Sequence, residues 1–200
     1  MIKYIKYISI FLLISTSVAL GGDYLLKVLQ NKFNSINDLS ADFVQLTNGK
    51  INLEGKFYFK KTNKLKLDLK NLLIISDGQT NWNYNKSQNK VIIGNYDEND
   101  PSALSLKKII FDYPEKCTVS DFEESGDRII QLKPKKDSGI NAEEITLWLN
   151  KEDLVKKIEI HANTGSLLEF RFTNYKTNSG MPDKEFSFNP SKGTKVIDLR

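Results

Sequence analysis

The chain has 200 residues and only one cysteine and one histidine. Cys117 alone cannot close an intramolecular disulfide, so an exported fold must stand on its apolar core. No partner motif accompanies it, and it reads as a small buried side chain. A single His161 excludes a His pair at metal spacing. In the strand KIEIHA it lies opposite in phase to Ile158 and Ile160, toward solvent, which suits a structural role. There is no Gly-rich phosphate loop and no nucleophile elbow. Asp121, Glu123, Glu124 and Asp127 crowd one turn and read as a solvated loop rather than an acid/base pair. The expectation is a protein that is not an enzyme, with no catalytic residue, no metal and no cofactor.

Charge of one sign is also scarce in excess, with a net +4. That balance, and the lack of an RNA-binding signature among the Lys-rich and aromatic stretches, argue against a nucleic-acid partner. No apolar run is long enough to span a bilayer comfortably: the longest, Ile8 to Ile14, is too short. It follows Lys3 and Lys6 and precedes small residues, the layout of a secretory signal peptide over 1–22 with cleavage expected after Ala19, Gly21 or Gly22. The competing reading is a retained N-terminal anchor. No cysteine closely follows the run, so a lipid-anchored export signal is not expected. Residues 23–200, about 180 of them, suit a single domain with a sizeable core.

What the chain does have is periodicity. After Asp23, a candidate N-cap, Leu25, Val28, Leu29, Phe33 and Ile36 recur mostly three and four apart, predicting a helix that ends near Asn37-Asp38. The period then changes to two. KLKLDLK sets Leu65, Leu67 and Leu69 on one face and Lys64, Lys66, Asp68 and Lys70 on the other. About eleven such strands follow one another through tight turns, and Asp77-Gly78 within LIISDGQTNWNY is a strong hairpin signal. The fold class expected is mainly β with a few helices, an antiparallel sheet curling into a barrel or half-barrel. One interruption, SALSLKKIIF after Asp100-Pro101, predicts a short helix across the barrel mouth. Its Leu104, Leu106, Ile109, Ile110 and Phe111 form either a movable lid or permanent core.

A large apolar surface without a reaction centre points to binding. The order and spacing of ADFVQ (41–45), EGKFYFKK (54–61), LKLDL, LIISDGQTNWNYN and FSFNPSKGTKVIDL (186–199) closely resemble the LolA family of periplasmic lipoprotein carriers, over essentially all of 23–200. The resemblance implies a strongly curved, incomplete barrel whose concave apolar face, closed by short helices, receives lipoprotein acyl chains. Candidate lining residues, taken from strand faces, are Phe43, Phe57, Phe59, Leu65, Leu67, Trp82, Tyr84, Leu147, Leu149, Ile158, Ile160, Phe170 and Phe172. Strand phase alone leaves open which face is concave, and several of these could instead pack under the first helix. The family's Arg-Pro after the second long strand, whose arginine latches the lid, is here Lys61-Thr62. Lys61 inherits that role weakly, because a lysine bonds as a point charge without the planar fork.

The mature chain is expected to be soluble, the resemblance implies the periplasm, and a shuttle that docks two partners in turn is most simply a monomer. Its partners would be acylated lipoproteins, an inner-membrane lipoprotein-releasing ABC transporter and an outer-membrane acceptor. The alternative is a lipid- or lipoprotein-sensing regulatory module on the same half-barrel, although such regulators usually add a second domain.

Overall fold

A computed structural model describes residues 18–20, 22–97 and 106–200. Its backbone is dominated by one 13-stranded sheet. The strands are β1 (Val18–Leu20), β2 (Asp38–Thr47), β3 (Lys50–Lys60), β4 (Lys64–Leu69), β5 (Leu72–Ser76), β6 (Thr80–Asn85), β7 (Lys90–Asn95), β8 (Cys117–Glu124), β9 (Asp127–Pro134), β10 (Ala142–Leu149), β11 (Val155–Ala162), β12 (Leu167–Thr177) and β13 (Lys195–Asp198). They lie in the order β1-β8-β9-β10-β11-β12-β2-β3-β4-β5-β6-β7-β13, so the sheet does not close on itself. Neighbours from β1 to β7 in that order run antiparallel, whereas β13 pairs with β7 in parallel. The eleven strands expected from alternation are β2–β12; the short β1 and β13 at the two edges were not legible as strands.

One helix, α1 (Tyr24–Ser35), lies against the sheet and buries Leu25, Leu26, Leu29 and Phe33. Its expected N-cap, Asp23, makes no side-chain cap bond. The cap comes from far along the chain instead: the Leu25 amide donates to Asp121 Oδ2 at 2.5 Å. A second helical segment, 106–115, passes from π-helical geometry at Lys108–Asp112 into one α-turn, α2 (Tyr113–Glu115). The Asp100-Pro101 start of that expected helix, Leu104, and residues 1–17 of the expected signal peptide lie outside the described residues.

Glycine matters where backbones meet. A Cβ on Gly55 would lie 2.1 Å from the Asp68 carbonyl oxygen, so only glycine lets β3 and β4 cross at this spacing. Gly78, at φ +93°, puts its backbone against the Thr62 carbonyl, where a Cβ would come within 2.4 Å. Asp77 Oδ1 completes that turn by accepting the Gln79 and Thr80 amides. The Asp77-Gly78 hairpin thus packs on the β3–β4 turn.

Candidate functional site

Register decides which side chains share a face, because cross-strand partners point the same way. Phe43 pairs with Phe172, Phe57 with Leu67, Leu67 with Ile74, Ile158 with Phe170, and Leu147 with both Ile158 and Ile130. These residues belong to one apolar cluster shared by β2–β5 and β8–β12, and α1 lies on it. Strands that far apart in the sheet can contribute to one cluster only if the sheet curves around it; the face toward α1 is the concave one.

Within this cluster Phe43, Phe57, Leu67, Leu147, Leu149, Ile158, Phe170 and Phe172 are buried, and Phe59, Leu65 and Ile160 are partly buried against it. Ring pairs tie it together: Phe43 lies 5.6 Å from Phe172, and Phe57 lies 5.8 Å from Phe172 edge-on.

Trp82 and Tyr84 do not join them. Trp82 pairs with Ile75 and Ile93, and Tyr84 with Leu73 and Val91, all on the convex face. The Tyr84 ring packs at 4.9 Å on Phe188. The two aromatics were expected in the cavity because they alternate like the inner residues. At β6 and β7, however, the inner positions are Asn81, Asn83, Asn85, Lys90, Ile92 and Gly94, and the more apolar side, with Trp82, Tyr84, Val91 and Ile93, is the outer one.

The expected lid residues Leu106, Ile109 and Ile110 are buried in the inner cluster, and Phe111 packs against it. Phe33 of α1 joins the two covers, 5.1 Å from Phe59 on β3 and 5.9 Å from Phe111. Around this junction lies a recess of about 220 Å³, with Phe33, Phe59 and Phe111 inside and Asn34, Lys61, Thr62, Asn63 and Lys107 at its rim. A second recess of about 580 Å³ reaches Leu154, Phe172 and Tyr175, with Lys32, Glu152 and Lys156 at its edge. In it the Tyr175 hydroxyl donates to the Val155 carbonyl at 2.6 Å, and burial pushes that phenol far above its ordinary pKa, so it stays a neutral donor.

Lys61 departs from the latch expected of it. Its Nζ donates to the Asn34 carbonyl at 2.9 Å, at the C-terminal end of α1, rather than to the 106–115 backbone. The bond to that backbone comes from Gln30, whose Nε2 donates to the Ile110 carbonyl at 2.9 Å. Gln30 was missed, though one signal existed: a polar residue set among Leu26, Leu29 and Phe33 on the buried stripe of an amphipathic helix. The π-helical geometry beside it belongs to a class of distortion that frequently marks functional positions.

His161 is exposed, and Cys117 is buried in the apolar cluster, where burial raises its thiol pKa. Among the described residues no group of His, Cys, Asp and Glu could hold a metal ion, and no helix is long and apolar enough to cross a membrane. What the geometry offers is a concave apolar surface under a helical cover.

Residues 34–189 match the family described as "Outer membrane lipoprotein carrier protein LolA". An "Outer-membrane lipoprotein carrier protein" of Legionella pneumophila is 27% identical, with 86% of this chain and 88% of that protein covered. An uncharacterized protein of Methanocaldococcus jannaschii is also 27% identical, over 98% of this chain and 60% of its own length. Among solved structures, an uncharacterized conserved protein from Thermus thermophilus shares the fold, with a TM-score of 0.58 at 9% identity, covering 90% of this chain and 99% of that one.

Proposed function

Because the chain belongs to the LolA family of outer-membrane lipoprotein carrier proteins, we propose that its concave face takes up the acyl chains of lipoproteins released from the inner membrane. It carries them through the periplasm as a soluble monomer, from a lipoprotein-releasing ABC transporter to an outer-membrane acceptor. The observation that carries this reading is the cover itself. Segment 106–115 places Leu106, Ile109 and Ile110 in the inner cluster, and Gln30 of α1 donates to its Ile110 carbonyl.

The energetics suit a carrier. Each acyl methylene taken from water into an apolar site gains about 0.8 kcal/mol, so a multiply acylated protein does not leave a membrane unaided. Protein interiors are close-packed, and an empty cavity forfeits dispersion contacts. The apolar side chains of 106–111 therefore occupy, in the unloaded protein, space that acyl chains claim in the loaded one. Apolar burial is non-directional, so one set of methylenes replaces the other at little net cost. Phe33, Phe59 and Phe111 mark the way in. Phe43, Phe57, Phe170 and Phe172 line the interior.

The test is to incubate the processed protein with spheroplasts that secrete a tagged outer-membrane lipoprotein. Cargo appearing in the soluble fraction as a one-to-one complex is the expected result. A well-folded protein that releases none in the presence of its cognate exporter overturns the shuttle and favours the lipid-sensing module.

A further inference from the structure

Among the described residues, one buried side-chain polar atom is without a hydrogen-bond partner: Oδ1 of Asp121. The residue is 3% exposed and sits on β8 at the N-terminal end of α1. Its other oxygen, Oδ2, accepts the Leu25 amide at 2.5 Å. A carboxylate at a helix N-terminus is favourable, but one buried with half its acceptors unused is costly unless something positive reaches it.

The chain meets Asp121 at two points near the start of α1. Leu20 is the register partner of Asp121 in the β1–β8 pairing, and Leu25, five residues later, bonds it through its amide. Between them Gly22, at φ +47°, turns the chain from the sheet edge toward the helix. Of the cleavages expected on export, after Ala19, Gly21 or Gly22, the last two make Gly22 or Asp23 the first residue. Two residues of chain span at most about 7 Å, so the nitrogen of Asp23 is tethered within that distance of the Leu25 amide already on Asp121. The Lys27 ammonium is engaged elsewhere, at 2.9 Å from the exposed Asp23 carboxylate.

We propose that removal of the leader supplies the missing partner: the α-ammonium of the new first residue, Gly22 or Asp23, donates to Oδ1 of Asp121. Cleavage converts a neutral amide nitrogen into a cation with three donors, beside a buried carboxylate that lacks one. The unprocessed chain leaves Oδ1 without a donor under α1, and the processed chain supplies one. Maturation thereby locks the first turn of α1, and with it one cover of the concave face. This device is independent of what the concave face binds.

The full-length chain is expressed in an exporting host, and the first residue of the purified protein is read by mass. The α-amine is then acylated at neutral pH under limiting reagent. In the folded wild-type protein it should react about tenfold more slowly than in folded Asp121→Asn, the equivalent of one pKa unit. The acetylated wild-type protein should show an unfolding constant raised about tenfold in a denaturant titration, with no such change in Asp121→Asn. Equal acylation rates, or the same effect of acetylation in both proteins, overturn the proposal, as does recovery of a chain that keeps its leader or starts at Leu20. If Asp121→Asn does not fold, wild type alone decides: α-acetylation that leaves its unfolding midpoint unchanged overturns the proposal.

Discussion

The two faces of the sheet are closed by different physics. The concave face is covered by α1 and segment 106–115 mainly through apolar side chains, with a few bonds at their ends and between them: Asp121 accepts the Leu25 amide, Lys61 donates to the Asn34 carbonyl, Lys135 to the Glu115 carbonyl and Gln30 to the Ile110 carbonyl. The convex face of β3–β7 is covered by residues 179–199 through directional contacts. Asp38 accepts four hydrogen bonds from Ser179, Gly180 and Met181. Lys60 and Lys64 both reach Asp183, Lys66 reaches Glu185, and β13 zips onto β7. Phe186, fully buried, fills the space beneath. Directional bonds hold one geometry and fail if the partner shifts, whereas apolar contacts accept any filler of the right volume. Directional bonds thus fix the outer cover in one geometry, whereas the proposed exchange of the inner cover for acyl chains needs mainly apolar contacts to be replaced.

The largest effect should come from the shared core. Phe172→Ala removes a ring that is 1% exposed and touches Phe43, Phe57 and Tyr175. It should lower stability by about 3–5 kcal/mol in denaturant titration. A loss below about 1 kcal/mol would mean that the concave face is not close-packed in the unloaded state.

Next is Asp38→Ala, which strands the Ser179, Gly180 and Met181 amides. A loss of about 2–3 kcal/mol is expected, with hydrogen exchange rising across 179–199 and not across 106–115. Equal loosening of both covers would erase the contrast between them.

Acid should separate the covers in the same way. Burial alone would raise the Asp38 pKa, but the hydrogen bonds from Ser179, Met181 and Gly180 outweigh it and bring it below the ordinary value. Hydrogen bonds from Lys60 and then Lys64 hold Asp183 down to about 2, and the bond from Lys66 lowers Glu185. These folded values lie below the unfolded ones near 4, so their contribution is present above that pH and is lost as pH falls toward about 2. The Tyr84–Phe188 contact, followed by NMR, should weaken over that window, while the Gln30–Ile110 bond, made by two groups that do not titrate, persists.

Gln30→Ala should cost about 1 kcal/mol or less overall, yet speed exchange in 106–115 and raise cargo uptake in the spheroplast assay. The smallest effect is expected from Lys61→Ala: its bond is to Asn34, so exchange in 106–115 should stay unchanged. Faster exchange there would restore the latch role to Lys61.

The strands were legible because alternation is local. Leu65, Leu67 and Leu69 announce a strand with one apolar side wherever the strand is placed, and α1 follows from its three-and-four spacing. The second side of KLKLDLK was less legible: Lys64 and Lys66 read as a wet face, but they are partly buried and paired under the C-terminal segment. Segment 106–111 was legible as helical and apolar, not as lid or core, because both need the same residues.

Local chemistry in the sequence thus determined the secondary structure, the hairpin at Asp77-Gly78, the lack of metal-binding or nucleophile motifs and the apolar surplus that points to binding. Only the tertiary structure decided which apolar residues face inward. At β4 and β5 they are Leu67, Leu72 and Ile74, whereas at β6 and β7 Trp82, Tyr84, Val91 and Ile93 face outward. The cause is that a strand's phase has two senses of equal local energy. The choice falls to whatever covers each face, here α1 on one side and, from a hundred residues further along, Phe186 and Phe188 on the other.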